Sequence, residues 1–153
     1  MMTVCSEVLK ALQGKTLVTA ESLTGGGIGA AITAVSGASA VYKGGVISYT
    51  NAVKNQILGV PADILDQYGA VSAPVAKAMA EGARKLLDAD VAVSVTGLAG
   101  PGGDEYGNPV GTVCIGYCNA FKSFAVKHHF DGDREAVRNK TIRAALELVL
   151  DNQ

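Results

Sequence analysis

The chain has no tryptophan, five tyrosines, three phenylalanines and two histidines among its 153 residues. So few aromatics exclude a core built on large rings, and the 19 glycines and many alanines point instead to close backbone packing of helices on a sheet. No run of 18 apolar residues exists, and the first residues lack the basic-then-apolar profile of a secretory signal; no membrane association is expected and the cytoplasm is the expected compartment. Thirteen basic residues face fourteen acidic ones with no basic tract, which argues against a nucleic-acid partner while leaving a small nucleotide open. Three cysteines are an odd number and fit a reducing compartment rather than a disulfide framework. Cys114 and Cys118 fall four apart in an expected strand, roughly 13 Å along it and too far to bridge, so both read as small core residues. No cluster of His, Cys and Asp has metal-ligand spacing, and neither a metal nor a cofactor is expected.

What is present alternates between helix and strand patterns. Helices are expected over 4–13, 24–36, 51–58 with Asn51 as cap, 61–68, 72–87 behind Ser72, and from about 133 to the end. Val75, Met79, Ala83 and Leu86 share one face of the fifth, and Val137, Thr141, Ala144 and Leu148 one face of the last. Strands are expected over 16–20, 45–49, 90–95, 112–118 and 121–130, the last two as a hairpin around Asn119-Ala120. The fold class is α/β, a single domain over 1–153 with one mixed sheet covered by helices on its faces.

The segment Thr19-Ala20-Glu21-Ser22-Leu23-Thr24-Gly25-Gly26-Gly27 joins the first strand to the second helix. A serine there stands at a sheet end beside free N–H groups, with glycines leaving the main chain uncovered. Two readings are open: a helix cap in a tight turn, or a nucleophile. A second glycine-rich element, Thr96-Gly97-Leu98-Ala99-Gly100-Pro101-Gly102-Gly103-Asp104, begins where the buried strand 90–95 ends. Open α/β sheets bind ligands outside the carboxyl ends of their strands, so the two elements can frame one cleft. The second is not a Walker A loop, lacking Gly-Lys-Ser/Thr, nor a dinucleotide fingerprint, because Glu105 stands at the third glycine position. The alternative is a surface loop without a ligand.

A nucleophilic serine needs a proton acceptor. His128 and His129 are adjacent on an expected strand, point to opposite faces and lie away from the strand ends near Ser22, which disfavours a Ser-His-Asp triad. Lys54 is the remaining candidate. It sits in Ser48-Tyr49-Thr50-Asn51-Ala52-Val53-Lys54, which also leaves a strand and enters a helix. If the two strands are neighbours, Lys54 and Tyr49 converge on Ser22, and a lysine acts as base where burial or a nearby cation lowers its pKa.

Together these segments resemble the nicotinamide-nucleotide amidases of the PncC type, whose domain is also the C-terminal domain of the competence/damage-inducible CinA proteins. The resemblance spans nearly the whole chain. It rests on Ala20-Glu21-Ser22-Leu23-Thr24-Gly25-Gly26, Gly44-Gly45-Val46-Ile47-Ser48-Tyr49-Thr50-Asn51 with Lys54, Gly69-Ala70-Val71-Ser72, Thr96-Gly97-Leu98-Ala99-Gly100-Pro101-Gly102-Gly103, Pro109-Val110-Gly111-Thr112-Val113, and Gly132-Asp133-Arg134 with Arg138. Leu23 stands where many relatives carry cysteine.

The resemblance implies hydrolysis of nicotinamide mononucleotide to nicotinate mononucleotide and ammonia, with Ser22 as nucleophile, Lys54 as base and Tyr49 as a possible proton relay. Main-chain N–H groups at Thr24, Gly25 and Gly26 are expected to face the oxyanion. The substrate is expected to meet Asn51, Thr96, Gly97, Gly100 and Gly102, with Arg134 or Arg138 supplying charge for its phosphate unless they form a solvated or salt-bridged helix face. Glu21 is either structural or orients Lys54 or the ribose. A homo-oligomer is suggested by family likeness alone. Two rivals stand beside this reading: a non-catalytic nucleotide-binding module in which Ser22 is a cap, and a Ser-Lys hydrolase of another small amide.

Overall fold

Alternation along the strands decides which side chains go to which face, and the helices follow. The structure, a computed structural model, describes residues 1–153. Its helices are α1 (Met2–Ala11), α2 (Gly27–Thr33), α3 (Asn51–Gln56), α4 (Ala62–Tyr68), α5 (Ala73–Leu86) and α6 (Arg134–Asp151), and its strands β1 (Leu17–Glu21), β2 (Tyr42–Ile47), β3 (Val91–Gly97), β4 (Thr112–Cys118) and β5 (Ser123–His129). They form one domain around one mixed sheet in the order β2-β1-β3-β4-β5. The first three strands of that order are parallel; β4 and β5 turn antiparallel.

Leu17 of β1, Val91, Val93 and Val95 of β3, and Val113, Ile115 and Tyr117 of β4 bury one face against α1, α2 and α6. The intervening residues Val18, Ala20, Ala92 and Cys118 bury the other against α4 and α5, with Leu58 and Val60. Every β1 residue is buried, and so is every β3 residue but Gly97, as strands covered on both faces require. The absence of large rings shows in how closely elements approach. A side chain at Gly82 would run into the Leu58 carbonyl, and one at Gly116 into the Ala76 carbonyl and the Ser94 hydroxyl. No helix is long and apolar enough to cross a membrane.

Several boundaries differ from those read off the sequence. The second helix occupies only Gly27–Thr33 of the expected 24–36, because Gly25 (φ 59°) and Gly26 (φ 100°) take left-handed conformations and Gly37 (φ 88°) opens a 3-10 turn, Ala38–Ala40. Thr50 rather than Asn51 caps α3, its hydroxyl oxygen accepting from the Val53 N–H at 3.3 Å. Ser72 does precede α5, but its hydroxyl donates back to the Gly69 carbonyl instead of capping the helix.

Candidate active site

Because β1, β2 and β3 are parallel, their carboxyl ends lie along one edge of the sheet. Ser22 follows β1 directly, Ser48 and Tyr49 follow β2, and Thr96 and Gly97 end β3. The serine turn is tied down by the residue before it. Glu21 is 2% exposed, and its place in the β1 alternation turns its carboxylate toward α2. There it accepts from the N–H groups of Ile28 (2.9 Å) and Gly29 (3.1 Å), from the Thr24 hydroxyl (2.6 Å) and, more loosely, from Thr19 (3.4 Å). A negative charge thus meets the unpaired N–H groups at the start of α2, which offsets its burial. From the other side Arg138 of α6 donates through Nε to the Leu23 carbonyl (2.9 Å) and through Nη2 to the Thr24 carbonyl (3.1 Å).

Lys54 lies in the last turn of α3 and is 1% exposed. Its Nζ donates to the Ser48 carbonyl at 2.7 Å and to the Ser22 hydroxyl oxygen at 3.0 Å. Neither of the two ion pairs in the protein includes it. Burial without a compensating carboxylate pushes its pKa from 10.5 down to about 8. A buried amine that can shed its proton near neutral pH therefore sits within hydrogen-bond reach of a nearly buried serine hydroxyl, itself 6% exposed. Discharged, the amine can accept the hydroxyl proton while still donating to Ser48.

The pair opens on a cleft of about 300 Å³. Of the residues expected at the site, Ser22, Lys54, Tyr49, Asn51, Thr96, Gly97, Gly100, Gly102 and Arg134 line it. Tyr49 is 59% exposed, and its hydroxyl accepts from Arg134 Nη2 at 3.1 Å; it has no hydrogen bond to Ser22 or Lys54, which meet directly. Arg134 also donates to the Gly100 carbonyl at 2.7 Å, tying the start of α6 to the glycine loop. Main-chain N–H groups of Ala99, Gly100, Gly102 and Gly103 have no acceptor within the protein.

Glu21, Thr24, Gly25, Gly26 and Arg138 do not line the cleft. They form and brace the turn from behind. The Gly25 N–H is engaged by the Ser22 carbonyl at 3.1 Å, so of the main-chain donors around the serine, Leu23 and Thr24 are those left without an acceptor on its C-terminal side before Gly25. Leu23, Ala70, Val71, Leu98 and Ala99 complete the wall. Ala70 and Val71 enter from the α4–α5 connection; they stand in one of the segments that carry the family resemblance, but as small apolar residues they offer no chemistry that would place them at the site. His128 stacks on Phe130 with ring centroids 5.1 Å apart, and neither histidine lines the cleft. No three His, Cys, Asp or Glu side chains gather to hold a metal ion.

A five-stranded mixed sheet with a buried serine–lysine pair at the carboxyl ends of its parallel strands defines an α/β domain with the makings of a hydrolase site. The model of the CinA C-terminal domain family matches residues 1–152, and the chain belongs to that family. The nicotinamide-nucleotide amidohydrolase PncC of Pseudomonas putida is 48% identical over 134 residues, covering 88% of this chain and 84% of that protein. A CinA-like protein of Parasynechococcus marenigrum is 51% identical over 150 residues, 95% of this chain but 36% of the relative. Against it and two other CinA-like proteins, this chain spans only 24–36% of the relative's length. Among solved structures, the competence damage-inducible protein A of Klebsiella pneumoniae superposes with a TM-score of 0.95 at 36% identity, covering 98% of this chain and 94% of that one. A CinA-superfamily protein of Escherichia coli gives 0.96 at 36% identity, covering 98% and 88%.

Proposed function

We propose that this chain hydrolyses the carboxamide of nicotinamide mononucleotide, releasing nicotinate mononucleotide and ammonia. The likeness to the Pseudomonas putida amidohydrolase, which extends over most of both chains, suggests the substrate. The observation that carries the chemistry is the contact of Lys54 Nζ with Ser22 Oγ at 3.0 Å, buried and without a carboxylate that would hold the lysine charged.

In this reading the neutral Lys54 amine takes the Ser22 proton as Oγ attacks the amide carbonyl. Main-chain N–H groups of the turn stabilise the oxyanion, each worth about 3 kcal/mol in comparable sites. As the C–N bond breaks, the Lys54 ammonium returns a proton to the leaving nitrogen, and ammonia departs. Water, activated by the amine, then hydrolyses the nicotinoyl ester and frees Ser22. Elsewhere along the cleft, the unpaired N–H groups of Ala99, Gly100 and Gly102 and the Arg134 guanidinium offer donors to the phosphate.

Ammonia release from the purified protein with nicotinamide mononucleotide tests the proposal. Turnover that disappears in Ser22→Ala supports it. Binding of the nucleotide without turnover would identify a binding module, and equal rates on nicotinamide riboside and free nicotinamide would identify an amidase that does not read the phosphate.

A further inference from the structure

Arg138 spends its charge in an unusual way. It lies one turn into α6, is partly buried, takes part in no ion pair, and does not line the cleft. Both its hydrogen bonds go to consecutive main-chain carbonyls, Leu23 and Thr24, across 115 and 114 residues of sequence. Those carbonyls belong to the two peptide groups that follow Leu23, immediately after Ser22. A trans peptide is planar, so a carbonyl pinned on one side directs the N–H of the same peptide to the other. Holding the Leu23 carbonyl therefore sets the direction of the Thr24 N–H. Holding the Thr24 carbonyl, which also accepts from the Gly27 N–H at 2.9 Å, fixes the start of α2 behind it. The N–H groups of Leu23 and Thr24 have no acceptor in the protein. A cation on the carbonyl also polarises the peptide and strengthens its N–H as a donor.

We infer that Arg138 is a positioning residue for the serine: by holding the Leu23 carbonyl it aims the Thr24 N–H, two residues past Ser22, at the oxyanion that forms when Oγ attacks. The inference rests on the proposed role of Ser22 as nucleophile, but not on the identity of the substrate. Lysine can replace only one of the two hydrogen bonds, and alanine neither.

A fluorophosphonate probe separates the two questions. Ser22 Oγ displaces fluoride from phosphorus, forming an Oγ–P bond; the Oγ proton passes to Lys54, and the phosphoryl oxygen occupies the place of the oxyanion. Labelling of Ser22 is followed by mass spectrometry in the wild type, Arg138→Lys and Arg138→Ala, with circular dichroism and melting recorded for each. Folded Arg138→Ala is expected to label on the order of tenfold to a hundredfold more slowly, less than the full loss of an oxyanion donor, and Arg138→Lys to fall between. The pH midpoint of labelling stays where it is in the wild type, because burial of Lys54, not Arg138, sets it. Added ethylguanidinium restores part of the rate to Arg138→Ala alone. With nicotinamide mononucleotide, kcat falls while KM stays within a few-fold. A folded Arg138→Ala or Arg138→Lys protein that labels at the wild-type rate overturns the inference, as does a loss carried by KM alone, which would put Arg138 on the substrate. Rapid Ser22 labelling in a wild type that leaves nicotinamide mononucleotide untouched would instead sink the substrate assignment and leave this inference standing or falling on the variants.

Discussion

Under the proposed mechanism, the requirements of chemistry and of folding oppose each other at Lys54. Unfolded, the side chain holds its proton up to about 10.5; folded, it releases it near 8. Between those values the unfolded chain binds the more protons, so stability rises with pH through that window and the burden is heaviest below pH 8. Lys54→Met is expected to abolish turnover yet to raise stability at pH 7 by about 2 kcal/mol, the desolvation of the charge less the hydrogen bond lost by the Ser48 carbonyl. The gain should shrink toward pH 10, and urea midpoints at pH 7 and 10 check both sign and trend. Turnover should rise with pH on an ionisation near 8, well below that of a free lysine. Lys54→Arg should be nearly as inactive as Lys54→Ala, since guanidinium keeps its proton. Ser22→Ala should fold normally and lose several orders of magnitude in kcat.

Among the elements, the β1–α2 junction concentrates the most consequence in the fewest residues. The Glu21 carboxylate takes four donors there. Glu21→Gln keeps the shape but turns an amide N–H₂ toward groups that are themselves donors, and about 2 kcal/mol of stability should be lost, together with most activity. Gly82→Ala and Gly116→Ala should each cost about 1–3 kcal/mol, because the added methyl meets a main-chain carbonyl that cannot swing aside. Strand and helix order was legible in the sequence because apolar periodicity changes from runs to one-sided stripes along the chain. The start of α2 was not, since two left-handed glycines, Gly25 and Gly26, override the helical composition of 24–36. Arg138 and Glu21 show why the site was only partly legible. Glu21, read as either structural or orienting, binds the start of α2 and two threonine hydroxyls close to it in the chain. Arg138, read as a donor to the phosphate or a solvated helix face, instead reaches main-chain carbonyls 114 and 115 residues away, a pairing that no local pattern records.

For the whole molecule, strand order matters more than any single contact. Placing β1 between β2 and β3 brings the ends of three strands from distant parts of the chain to one cleft. The proposed function assigns catalysis and phosphate reading to different parts of that cleft, Ser22 with Lys54 to the one and the 97–102 loop with Arg134 to the other. Under the proposed function, nicotinamide mononucleotide should be hydrolysed far faster than nicotinamide riboside or nicotinamide, because remote binding energy holds the amide against Ser22. Gly102 has open space around it, so Gly102→Phe should fold and yet narrow this preference by filling the loop's approach. Steady-state kinetics on the three compounds would show it; an unchanged preference would remove the loop from phosphate recognition.

The reversal of direction between β3 and β4 also decides where the polypeptide tolerates being interrupted. It carries the β4–β5 turn to the far pole of the sheet, where Phe121 is 95% exposed. An epitope spliced between Ala120 and Phe121 should leave melting within a few degrees and turnover within about twofold, as at other exposed loop tips. Under the proposed function, the same epitope between Gly102 and Gly103, in a loop that is likewise exposed, should abolish turnover while sparing the fold. One pole of the molecule is thus open to tethering, display or a fused reporter, and the other carries the candidate site.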